Sequence, residues 1–491
     1  MKLTLKKGID VKLNVKPAYL HLIHREAYEG PCRTGKYEQL TQEFDERIGV
    51  EKFEQFKADV YQLYQDKANI LEPVYLTWYD DFILREAEWQ KLLSDFDNTD
   101  LFLFDGVFHQ FPGVEMAVRF KKPIGIIGCC AGPDAVSYLK TKSLESYGFI
   151  DRNDVLEILP LLRVKKAIRE TNVMVVLKND IISKGVLSTI SNLEDLKNDL
   201  GIRFTFINAE EILEETDKVI QDKEAEELAN QITDHLIDNA DKSHMAREMV
   251  LKSVRFYVAT KKLLNYYECN AFTIPCFEIC STRQLHKKQY TFCLTHSLLK
   301  DDGIPSACEA DINVLMAMNV LINLTRKSPH MGNVHPVSNE SKTDQSIPSG
   351  LEYVESIEEK DNLVYIFHAV PTIKMKGIEH KNVPYEIQSF TQGGWGATIR
   401  YDFNKDKDET ITLLRFHPTG KKMFAAKGRI VAGAGFRTIG CSTGFYFQVN
   451  DVNDFFRKEL EFGHHYAWVY GDYLQQLKLL SEVLNIDYVS A

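Results

Sequence analysis

The chain has 491 residues, 44% hydrophobic and 26% charged, which is enough apolar material for several cores and too long for one ordinary domain. Its formal charge of -11, from 59 basic and 70 acidic residues, is spread along the sequence, with no basic stripe interleaved with aromatics, which argues against a nucleic-acid partner. The start, MKLTLKKGIDVKLNV, lacks the apolar core of a signal peptide, and runs such as PIGIIGCCAG fall short of the ~20 residues of a membrane helix, so no membrane partner is expected. Nine irregularly spaced cysteines, without paired zinc-module spacing, suit a reducing cytoplasm, where the protein is expected to reside.

From the N-terminus, KYEQLTQEFDERIGVEKFEQFKADVYQLYQDKANI alternates charged and apolar residues at helical spacing. LFLFDGVF (101–108) and PIGIIGCC (123–130) are short apolar runs bounded by Gly and Pro, the pattern of buried parallel strands. Between them, HQFPGVEMAVRFKK reads as a loop and short helix, and Cys129 and Cys130 are expected to pack within the second strand. IGIIGCCAGPDA has neither dinucleotide-binding glycine spacing nor an acid about 20 residues later, so it predicts a tight strand-to-helix turn. VMVVLKND (173–180) and IRFTFINA (202–209) restart the strand pattern and are followed by long acidic helical stretches. Strands alternating with helices predict two doubly wound α/β domains, over 1–165 and 166–345. KSPHMGNVHPVSNESKTDQSIPSG (327–350) reads as a long loop or linker. Beyond it, LVYIFHAV, YEIQSF, GATIRYDF, ETITLLRFHP, GRIVAGAG and GFYFQV predict a β-rich barrel or sandwich over 346–491. A closing helix carries Leu474, Leu477, Leu480 and Leu484 on one face.

Four stretches place polar groups against apolar ones. In GIPSACEADINVLMAMNVL, Glu309 and Asp311 enter an apolar helix; Asp311 reads either as its N-cap or as a metal ligand kept ionised by the helix N-terminus. TIPCFEICSTRQ holds Glu278 at what looks like a strand end, with a salt bridge to Arg283 as the plain alternative. VYIFHAVP places His368 in an apolar strand, where a satisfied core histidine is the ordinary reading. EFGHHYAWVYGDY carries His464 and His465, whose side chains diverge on a strand, so that at most one faces a given site. Mixed oxygen and nitrogen donors from several elements suit an Mn²⁺-like ion rather than a structural zinc.

Together these stretches resemble L-fucose isomerase-like proteins, in the superfamily of L-fucose and L-arabinose isomerases, over roughly residues 260–485. The likeness lies in the C-E-x-D opening a helix, the Cys-aromatic-Glu element, the strand bearing His368, and the His pair followed by Gly-Asp. The resemblance implies two Rossmann-like α/β domains followed by a β-barrel domain, assembled as a homo-oligomer with sites at subunit boundaries. It implies Glu278 and Asp311 as acidic metal ligands that also carry protons, His465 as the imidazole ligand, and Glu309 in support. Mn²⁺, with Co²⁺ or a similar ion as a substitute, is the implied metal, and aldose–ketose isomerisation of a sugar through an enediol is the implied reaction. The chain departs from the family pattern at Gly463 before the His pair, at His368-Ala369-Val370, and at Asn333 where an acid is common. His464 and His368 are candidates to touch substrate. In GPCRTGKYEQL, Arg33 and Lys36 flank a Gly and either bind an anionic sugar substituent or belong to a solvated loop. A metal-dependent aldolase or epimerase, and a non-catalytic sugar-binding protein, are the alternative functions.

Overall fold

The computed structural model describes residues 5–26, 35–79, 81, 83–177, 185–337, 357 and 361–491. The chain divides into two compact units, Val11–Arg163 and a second that joins the segment ending at Asp10 to Val164–Ala491.

Within Val11–Arg163, the apolar runs form an all-parallel sheet. Its strands are β1 (Asn14–Leu22), β2 (Asn69–Ile70), β3 (Val74–Trp78), β4 (Leu101–Gly106), β5 (Ile124–Ile127) and β6 (Ser146–Phe149). The order is β2-β1-β4-β5-β6, with β3 continuing the β2 edge along β1. This is Rossmann-like winding: the central strands β1, β4 and β5 are largely buried and helices such as Gln110–Phe120 connect the strands. Cys129 and Cys130 lie beyond the end of β5 and are exposed, contrary to the packing expected of them.

The larger unit contains a second parallel sheet and a barrel. Strands β7 (Asn172–Leu177), β8 (Arg203–Asn208), β10 (Ala271–Thr273) and β11 (Ser306–Ala307) pair in the order β11-β10-β7-β8, all parallel. The short β9 (Lys242–Ser243) joins instead with β14 (Glu386–Ser389) and β15 (Ala397–Arg400). YEIQSF and GATIRYDF are therefore strands, but of this small sheet and not of the barrel.

The barrel strands are β12 (His330–Pro336), β13 (Leu363–His368), β16 (Thr410–Phe416), β17 (Lys422–Ala434), β18 (Thr443–Gln448) and β19 (His465–Tyr470). They run β16-β19-β12-β13-β18-β17, and β17 returns to pair with β16, closing six antiparallel strands; β20 (Asp487–Ser490) adds in parallel to β17. Phe403, Phe445, Phe447 and Trp468 fill its core. β12 lies inside the stretch expected as linker: its alternation of small and apolar residues pairs with β13 and β19, which outweighs the loop-like composition. The remainder of that stretch, 338–350, lies outside the described residues. Among the described residues no helix is long and apolar enough to cross a membrane.

Candidate metal centre

β10 and β11 end side by side, and the residues after them carry the site. Residues at the carboxyl ends of parallel strands are where such sheets present chemistry. Cys276 opens the helix Cys276–Cys280, so Glu278 sits on a helical turn rather than at the strand end expected for it. Cys308 and Glu309 follow β11 directly. Glu309 and Ala310 both adopt left-handed backbone, with φ of 61° and 51°, at a cost of about 1 kcal/mol each. That double turn swings the chain into the helix Ile312–Thr325, with Asp311 as its N-cap.

Asp311 is fully buried, and its two oxygens have different duties. Oδ1 accepts the backbone N–H of Asn313 at 3.0 Å and of Val314 at 3.3 Å. Oδ2 accepts from Arg415 Nη1 at 2.9 Å and from His465 Nδ1 at 3.1 Å. Four donors fill the roughly four lone-pair sites of a carboxylate. Burial pushes this acid up, but the Arg415 guanidinium and the His465 bond outweigh burial and hold it well below the usual carboxylate range. Arg415, from β16, is equally buried and also donates to Phe462 O at 2.5 Å, His465 O at 2.7 Å and Ser188 Oγ at 2.9 Å. The helix cap and the ion pair thus share one side chain.

With Nδ1 of His465 donating to Asp311, Nε2 is the ring nitrogen turned toward Glu309 and Asn333. That nitrogen lies 3.9 Å from Glu309 Oε2 and 2.6 Å from the side-chain oxygen of Asn333, its register neighbour on β12. Glu309 Oε1 is 3.6 Å from Nε2 of His368, at the end of β13. His368 is 1% exposed, and neither ring nitrogen has a hydrogen-bond partner among the described residues. Burial raises the Glu309 carboxyl, yet His368 and His465 draw it down to about 2. The ligand atoms of Glu309, His368 and His465 all lie within 4.8 Å of one another. Lys300, fully buried in the helix Cys293–Asp301, donates to Val370 O at 2.9 Å and so pins the chain two residues beyond His368; burial pushes its ammonium down to about 7.

Glu278 is half-buried and reaches the same neighbourhood. Its Oε1 accepts the Gly185 N–H at 3.3 Å, and a Cβ on Gly185 would stand 3.8 Å from Glu309 Oε2. Of the residues expected from the sequence, Glu278, Glu309, Asp311, His368 and His465 therefore converge. The grouping differs from the implied one: Glu309 and His368 share the ligand-like cluster with His465, while Asp311 is occupied by Arg415 and the helix. His464 is exposed and lies just before β19, its ring centroid 4.6 Å from that of His465, so the two rings touch and do not diverge as strand neighbours would. Lys36 is exposed in the Val11–Arg163 unit, and Arg33 lies outside the described residues.

Arg415 is the main residue that sequence reading missed. Its signal was present: in ETITLLRFHP a lone cation stands among apolar strand residues, and burial there demands an anion. A carboxylate and two imidazole nitrogens fit a divalent transition-type cation, and the buried, unpartnered His368 ring gives that fit a physical basis. Comparison with protein-family models gives no match, and comparison with curated proteins gives none either.

Proposed function

We propose that this protein is a divalent-metal-dependent aldose–ketose isomerase that acts on a sugar through an enediol, with Glu309, His368 and His465 holding the cation. The observation that carries this reading is the Glu309–His368–His465 cluster, whose buried His368 imidazole has no hydrogen-bond partner among the described residues. The order of the C-E-x-D, His-strand and His-pair stretches, similar to that of L-fucose isomerase-like proteins, supports the reaction. When bound, an ion such as Mn²⁺ or Co²⁺ supplies Lewis-acid stabilisation of the charge that develops as a proton leaves the carbon beside a sugar carbonyl.

The chain's own residues supply the rest. Asp311 and Arg415 are positioning residues: they fix the His465 ring and its tautomer. Glu278, half-buried and held through Gly185, is the carboxylate assigned to take a proton from one sugar carbon and return it to the next. Asp311, saturated by four donors, is a poor proton carrier. A cavity of about 430 Å³ that includes Cys280, from the Glu278 helix, offers Phe390 and Trp395 as stacking faces and Arg283 and His286 as polar groups, which suits a sugar and tolerates an anionic substituent. A cytoplasmic location is supported by the eight described cysteines, all free. Assembly as a homo-oligomer is part of the same proposal.

The test is incubation of the Mn²⁺-loaded protein in D₂O with a panel of aldoses and ketoses, phosphorylated ones included. Interconversion with deuterium at C1 or C2 is expected. Exchange without interconversion would move the reading to an epimerase or aldolase, and no exchange with any sugar while metal is bound would overturn it.

A further inference from the structure

Glu309 faces a second group of soft ligands on its other side. Cys276 Sγ and Cys308 Sγ lie 3.0 Å apart, and with a Glu309 oxygen their ligand atoms fall within 4.8 Å of one another. The fold brings them together because β10 and β11 are register neighbours, so the first residues beyond their ends converge. Cys308 is 2% exposed and Cys276 half-buried, so the pair is screened from bulk water on one side and open on the other.

Two explanations compete for so close a pair of sulfurs: a disulfide and a shared cation. Disulfide formation begins with a thiolate attacking an oxidant, and the Cys276 neighbour, burial and the Glu309 carboxylate oppose ionisation of the Cys308 thiol. A cation reverses that field, since two thiolates and a carboxylate then surround a positive charge. Zn–S bonds of about 2.3 Å place two tetrahedral sulfurs roughly 3.8 Å apart, so the pair need open by less than about 1 Å. We propose that Cys276, Cys308 and Glu309 form a second cation site, selective for a thiophilic d¹⁰ divalent ion such as Zn²⁺ or Cd²⁺, that shares Glu309 with the imidazole cluster. Binding breaks two S–H bonds and releases both protons to solvent, and three protein ligands leave a fourth position open. A soft ion held there competes for Glu309 with a harder ion held by His368 and His465.

This site stands whatever reaction the imidazole cluster serves, and its test needs no turnover. The full-length, reduced protein is titrated with Cd²⁺ while the sulfur-to-metal absorption band in the ultraviolet and the protons released are followed. One tight Cd²⁺ with two protons released is expected, and Cys276→Ser should weaken it ~100-fold or more, beyond the 10–100-fold typical of outer partners. Cys308→Ala supplies the second variant, and Cys129→Ser, in the other unit, should leave the titration unchanged. A band of unchanged strength and affinity in both Cys276→Ser and Cys308→Ala would overturn the proposal. So would a Cys276–Cys308 disulfide found by mass spectrometry in protein purified without reductant.

Discussion

Glu309, half-buried, and Asp311, fully buried, stand two residues apart, and the regions around them are built on opposite principles. Around Asp311 every demand is met: two backbone N–H groups, a guanidinium and an imidazole N–H saturate the carboxylate. Around Glu309 the nearest cationic or imidazole atoms stop at 3.6 and 3.9 Å, and the His368 ring has no hydrogen bond among the described residues. The difference separates positioning from ligation. A carboxylate whose lone pairs are all used can orient its neighbours but has nothing left to give a metal. Glu309, His368 and His465 face one another across gaps longer than a hydrogen bond, with His465 Nε2 held by Asn333. The chain supplies its own cation, Arg415, to the first region; the second is the one proposed to take an ion from solution.

Breaking the saturated region should have the largest effect. Arg415→Ala leaves Asp311 charged in the interior without its guanidinium partner, and a loss of about 4 kcal/mol is expected in chemical denaturation. Asp311→Asn tests the same pair from the other side. Asn preserves the helix cap, but it strands the guanidinium, and a loss of about 3 kcal/mol is expected with helix content retained in circular dichroism. A variant as stable as the parent would mean that the buried pair contributes little.

Glu459 extends the comparison to a third buried acid, on the helix Val452–Phe462, with neither oxygen hydrogen-bonded among the described residues. Burial pushes its carboxyl up to about 8, only partly offset by Arg415. In the folded state it keeps its proton up to that pH, whereas the unfolded chain loses it near the ordinary value of 4.5. The unfolded state therefore binds fewer protons between these values, and stability falls as pH rises from about 4.5 to 8. Glu459→Gln should leave stability near that of the parent at pH 4 and exceed it by roughly 3 kcal/mol at pH 9. An equal difference at both pH values would contradict the assignment.

The open region should tolerate change best. His368→Phe removes a ring with no hydrogen bond to lose and replaces it with one of similar size, so stability should stay within about 1 kcal/mol by thermal denaturation. A larger loss would show that His368 is held by a bond essential to the fold.

Much of this architecture is legible in the sequence, for identifiable reasons. The parallel strands announce themselves as short apolar runs because both of their faces are buried, and four of the six close-spaced stretches read as barrel strands are barrel strands, the other two forming the small sheet with β9. β12 is hidden: its Pro, Gly and Asn give it a loop's composition, and only its pairing with β13 and β19 makes it a strand. Glu278, Glu309, Asp311 and the His pair can be singled out because polar groups in apolar runs call for partners. Which partner each one takes cannot be read along the chain. Arg415 lies 104 residues from Asp311, and the barrel closure that joins them is a tertiary event. The same closure brings His368 to Glu309 and makes a residue with the pattern of a core histidine part of the cluster.

Calorimetric titration of Mn²⁺ or Co²⁺ into the parent, His368→Phe and Glu278→Gln tests the central claim most directly. If Glu309, His368 and His465 are the ligands, His368→Phe should weaken binding by about 100-fold or more, while Glu278→Gln should bind within about threefold of the parent. Parent-like affinity in His368→Phe, with binding lost in Glu278→Gln, would contradict the account and return the metal to the acids.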